Sequence, residues 1–143
     1  MKVLMYTSLG YGVCTLAAAL AREYVYCFLF IVQNNCSALH HAHLASPRTY
    51  TGGRIISYLD HKMAFIIICK GYYDTLTMSK IVASPIWFTI LYVIILHRLK
   101  VHNHQQYKEN IIYYAHASMH IISQLGLIYL IFIKYQMKNA LLT

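Results

Sequence analysis

From Asn110 to Lys134 the chain runs almost without charge, and a run of that kind has few ways to fold. At about 1.5 Å of rise per residue, roughly 20 apolar residues in a helix cross the hydrocarbon core of a bilayer. Near the start of this run stand His116 and His120, one helical turn apart, so both rings project from one face. Imidazoles inside an apolar span are costly unless something meets them, so their partners must come from elsewhere in the chain.

Four further apolar segments precede this one. The expected helices lie near 3–20, 24–43, 55–75, 81–97 and 111–134. With 59% hydrophobic and 11% charged residues and a mean hydropathy of +0.48, the composition is that of a membrane protein and not of a solvated domain. The expectation is an all-α, polytopic transmembrane bundle of about five helices, a single membrane domain over residues 1–143. The formal charge of +8 reflects a total of four acids and not basic clusters. No Lys/Arg run with interleaved aromatics occurs, and the bases flank apolar segments, which argues against nucleic acid as a partner. Cys14, Cys27, Cys36 and Cys69 have no CxxC spacing and read as small packing residues.

The first segment ends in Ala19-Leu20-Ala21, which resembles a signal-peptidase site. Ser8, Gly10 and Gly12 interrupt the compact apolar stretch that a signal peptide needs, so a retained helix is favoured. The second segment changes character halfway, from apolar Tyr24–Val32 to Gln33, Asn34, Asn35, Ser37, His40, His41 and His43. Asn34, Ser37 and His41 share one helical face, which should point into a bundle. Ser46-Pro47-Arg48 and Gly52-Gly53-Arg54 mark a polar connection. Asp60 comes near the start of the third segment, where Ser57-x-x-Asp60 also reads as a capping box. Ser84-Pro85 opens or kinks the fourth. His97–Asn110 reads as a polar, basic loop, Asn110 as a helix cap, and Gln136–Thr143 as a frayed tail.

Antiparallel threading has a consequence. His41 leaves the second helix, Asp60 enters the third, and His116 and His120 enter the fifth, so all three places fall near one membrane face. Arg48, Arg54, Arg98, Lys100 and Lys108 lie in the loops on that side, against Arg22, Lys80, Lys134 and Lys138 opposite. The positive-inside rule then puts the histidine end in the cytoplasm, by a small margin. With nine histidines, roughly half an i, i+4 pair is expected by chance, so His116/His120 alone is a weak signal. The ordered set of Ser37-x3-His41, an acid on the next helix and His-x3-His on the last is far more specific. It also has a chemistry. Three imidazoles are the protein ligands of a catalytic zinc, a nearby carboxylate can take a proton from water, and a hydroxyl can orient it or meet an oxyanion.

Cys36-Ser-Ala-Leu-His-His41, Tyr58-Leu-Asp-His-Lys-Met-Ala-Phe65 and His116-Ala-Ser-Met-His-Ile-Ile-Ser-Gln-Leu-Gly126 resemble the three signature pieces of the CREST superfamily. That group comprises alkaline ceramidases, progestin and adipoQ receptors and hemolysin III-like proteins; the Leu-Asp-His piece is most similar to the hemolysin III branch. The resemblance implies a zinc held by His41, His116 and His120, with Asp60 and Ser37 as catalytic residues around its water. It implies a membrane lipid substrate, a long-chain amide or sphingolipid. His40 is an alternative to His41, and the Ser-x3-His spacing favours His41. The resemblance covers roughly Asn34 to Gly126 in three short blocks. The family has seven helices where this chain has room for five; loss of two between Ile81 and Asn110 would keep the last helix's histidines facing Asp60. Three other readings stay open: a non-catalytic receptor-like or structural protein tied by zinc, a b-type haem protein, and a bundle whose histidines only hydrogen-bond.

Overall fold

The computed structural model describes residues 2–45, 52–103 and 109–141. These form five α-helices and, among the described residues, no strand: α1 (Lys2–Leu20), α2 (Tyr24–Ala45), α3 (Gly52–Thr75), α4 (Lys80–Asn103) and α5 (Glu109–Ala140). The number and order are those expected, but the ends differ. α4 continues through Asn103, where a loop was expected from His97. α5 starts at Glu109, which puts Asn110 inside it, and runs on to Ala140 past the expected end at Lys134. Hydropathy marks the apolar part of a helix, whereas its hydrogen-bonded length extends through Arg, Lys and Gln, which are good helix formers. The connection at Ser46-Pro47-Arg48 and residues 104–108 lie outside the described residues.

α3 starts at Gly52 and not at Ile55, so Gly52-Gly53-Arg54 is its first turn and Ser57 is interior. An interior Ser57 overturns the capping-box reading of Ser57 and Asp60, and its carbonyl accepts a hydrogen bond from His61 Nδ1 at 2.7 Å. Pro85 is likewise inside α4 and does not open it. Lacking an N–H, it leaves the Ile81 carbonyl without its usual donor; the Ser84 hydroxyl supplies one at 2.8 Å.

Between α1 and α2 the chain turns on Arg22, whose φ of 56° is left-handed. The Arg22 and Glu23 N–H groups return to the Ala19 and Ala18 carbonyls at 3.1 and 2.8 Å, closing a Schellman motif with Arg where Gly is usual.

Each helix packs on the next in sequence and α5 returns to α1, which closes a five-membered ring; of the neighbouring pairs, α3 and α4 touch least. α2 packs on α3, whereas α2 and α5 are separated by α1 and meet through side chains across the interior. α1 and α5 approach closely at Gly10, where an added Cβ would collide with the Gln124 side chain. That side chain is occupied: its Nε2 donates to the Thr7 carbonyl at 2.7 Å. α4 and α5 do the same at Gly126, where a Cβ would stand 2.6 Å from Thr89 Cγ2. Small residues at such crossings let helices pack through van der Waals contact alone.

Burial is partly inverted relative to a water-soluble bundle. Tyr26, Phe30 and Leu130 fill one part of the interior, but Ser8, Gln33, Ser37, His41 and Asp60 are buried as well. The outward stripe of α1 is Tyr6, Leu9, Val13, Leu16 and Leu20, all exposed. Two helices, α4 over Lys80–Arg98 and α5 over Tyr114–Ala140, are long and apolar enough to cross a membrane.

At the end of the bundle away from the histidines, buried acids are tied by lysines. Lys134 Nζ lies 2.7 Å from Asp74 Oδ2 and 3.0 Å from Glu23 Oε2, Lys138 Nζ lies 2.6 Å from Glu23 Oε1, and Lys70 pairs with Asp74 Oδ1. The Tyr26 hydroxyl donates to Asp74 Oδ2 at 2.9 Å. Burial alone would raise the Glu23 carboxyl above its usual range, but hydrogen bonds from Lys138 and Lys134 outweigh it and hold the group below. A depressed carboxyl stabilises the fold above its unfolded value, about 4.3, and that contribution disappears as pH falls through the folded value. Glu23→Gln should therefore flatten the loss of stability below about pH 4.3, read as thermal midpoints of detergent-solubilised protein across pH.

Candidate metal centre

The interior face of α2 is built at helical spacing from Tyr26, Phe30, Gln33, Ser37 and His41. It carries His41 to the end of the bundle where α3 and α5 begin. There His41, His116 and His120 come together, with one ligand nitrogen from each lying within 4.8 Å of the others. His41 Nε2 and His120 Nε2 are 3.2 Å apart. Two nitrogens on one tetrahedral ion at about 2.0–2.1 Å would stand about 3.3 Å apart, so this pair is already set for a shared ion. The His116 and His120 rings stack at 5.0 Å between centroids and 15° between planes, and His41 meets them edge-on at 5.1 and 5.3 Å. His116, the third of the set, is half-buried. The three histidines can hold a metal ion.

His40 is not in that group: its ring lies between His41 and His61, 5.2 and 6.0 Å between centroids, and the converging histidine of the pair is His41.

Asp60 is buried and accepts a hydrogen bond from Gln33 Nε2 at 2.7 Å. With His116 and His120 it lines a cavity of about 280 Å³ bounded by α3, α4 and α5, with Tyr11 and Gln33 closing the inner side. Ser37 lies one turn before His41, fully buried, its hydroxyl without a hydrogen-bond partner. Neither Ser37 nor His41 belongs to the cavity wall. The cavity wall divides both the predicted ligands and the predicted catalytic pair: Asp60 and the α5 histidines line it, while Ser37 and His41 lie on α2 outside it.

Sequence reasoning missed Gln33. It favoured the neighbouring Asn34 for the inward face; Asn34 is half-buried, whereas Gln33 is 1% exposed and holds Asp60. Its spacing to Ser37, four residues and one turn, was the available signal. Tyr11 also escaped notice. Its ring meets His120 edge-on at 6.1 Å and its hydroxyl lies 3.4 Å from Ser123 Oγ, which packs the α1 side of the site.

No family model matches the chain, and neither the curated proteins nor the solved structures compared with it yield a match.

Proposed function

We propose that the chain is a multi-pass membrane protein with a zinc site of the kind used to hydrolyse lipid amides, like the CREST proteins that its three sequence blocks resemble. The observation that carries this is the meeting of three histidines, from α2 and α5, two of which line the polar end of a cavity that also holds Asp60. Neutral imidazole is a good zinc ligand, and three of them leave the ion its full charge. When bound, zinc would polarise an amide carbonyl and bring water towards a pKa of about 7.

The remaining work falls to the protein. Gln33 fixes one oxygen of Asp60, which leaves the carboxylate oriented to accept a proton from water and deliver it to the leaving amine. The Ser37 hydroxyl, buried beside His41, is a donor for the developing oxyanion. The apolar walls of the cavity take the acyl chain. The exposed apolar side of α1 suits lipid, and the buried polar groups need the bundle to hide them from it. The bases around the histidine end favour its facing the cytoplasm.

A second reading has one observation in its favour: His41 and Ser37 stand outside the cavity wall. In that reading the histidines tie helices together, through zinc or hydrogen bonds, in a receptor-like or structural protein. Turnover of long-chain amides by zinc-loaded protein in detergent separates the two; a zinc-bound protein inert on every such amide is the tie.

A further inference from the structure

The cavity has a length and a polarity that the hydrolase reading does not use. Along α3 its wall runs from Asp60 to Gly71, along α4 from Arg98 back to Ile86, and along α5 from His116 to Leu130. At about 1.5 Å per residue these stretches span roughly 16–21 Å of the bundle. A volume of about 280 Å³ drawn out over that length is narrow, near the lower limit for small-molecule pockets, and suits one extended chain. It lies between α3 and α4, the pair that touch least.

One end holds a guanidinium beside two imidazoles. His61, His97 and Arg98 all line it, with the His61 and His97 rings 6.5 Å apart between centroids. Asp60 is the acid on that wall, and it is held by Gln33. Arg98 makes no salt bridge to an acid among the described residues. The amine side of an amide placed at His116, His120 and Asp60 would therefore run towards a guanidinium and two imidazoles. A neutral headgroup could offer them ordinary hydrogen bonds, but no charge for the guanidinium to pair with.

We propose that the cavity takes a single-chain N-acyl conjugate whose amine half bears an anion, with the acyl chain along the apolar slot and the anionic group on Arg98, His97 and His61. This rests on the hydrolase reading for the position of the amide, and on the cavity alone for the anion. Guanidinium pairs well with carboxylate and with phosphate, so the shared chemistry is an oxyanion at the end of the amine half.

The test is equilibrium binding to detergent-solubilised protein in a zwitterionic detergent, with chelator present so that no metal can take the anion. The probes are N-lauroylglycine, N-lauroylphosphoethanolamine and neutral N-lauroylethanolamine. One or both anionic probes should bind about tenfold more tightly than the neutral one, the scale of a single charged contact. Whichever of the two binds more tightly identifies carboxylate or phosphate as the preferred group. Arg98→Gln should abolish the preference by weakening the anionic probes far more than the neutral one, and Arg98→Lys should keep part of it. Equal affinities for all three in the wild type would overturn the proposal, and so would a preference that survives in Arg98→Gln combined with His97→Gln. If the variants fail to fold, the wild-type preference still decides, since it must shrink with added salt. Turnover with zinc is scored separately: preference without turnover sinks the hydrolase and keeps the anion site, and turnover without preference does the reverse.

Discussion

If the proposed hydrolase function holds, Asp60→Asn should bind supplied zinc as the wild type does and lose amide turnover by about a hundredfold or more, the usual cost of removing a general base. The substitution preserves shape and an oxygen that can still accept from Gln33, so the fold and the histidines should be unaffected. What it removes is the ability to take and pass on a proton. Equal rates for wild type and variant at matched zinc occupancy would take Asp60 out of the chemistry. The capping reading, which would have made Asp60 a local stabiliser at a helix start, cannot compete here: α3 begins at Gly52, and Asp60 is well inside it.

The second large effect is on stability. Lys134 sits between two buried carboxylates, Asp74 and Glu23, which come from α3 and from the turn before α2. Its ring contact with Tyr26, 5.2 Å from Nζ to the centroid, adds a cation–π interaction. Lys134→Met would leave both acids short of a partner, which for buried pairs costs about 3–5 kcal/mol. We expect the low end, about 3 kcal/mol, because the lysine keeps 19% of its surface and Lys70 and Lys138 remain. Adding Asp74→Asn and Glu23→Gln to Lys134→Met should recover most of the loss, since an uncompensated buried charge is what destabilises. Additive losses in a chemical-unfolding cycle would show instead that the three groups act independently.

The two ends of the bundle differ in how far they could be read beforehand. The histidine end was legible because i, i+4 spacing on α5 and Ser-x3-His on α2 are local patterns, and chain alternation brings them to one depth. Which helices are neighbours was not, because hydropathy gives segments and their order but no crossing partners. Hence α2 and α5 meet across the ring and do not pack side by side. Gln33 was hidden by a neighbouring amide, and only the position of the interior face distinguishes them. The lysine–carboxylate cluster was hidden differently. Lys134 and Lys138 read as basic residues flanking a span, as topology alone would place them, and their partners Glu23 and Asp74 are far away in sequence. Helix ends were misplaced for the same reason, since a helix does not stop where its hydrophobicity does.

Everything proposed for function depends on His41, His116 and His120 acting as one ligand set. Zinc content per chain, measured on purified wild type and on His120→Ala, tests that most directly. The account predicts about one zinc per wild-type chain and a large loss in the variant, with the helical content of both the same. Full zinc stoichiometry in His120→Ala, or wild-type protein that takes up none when zinc is supplied, would contradict it.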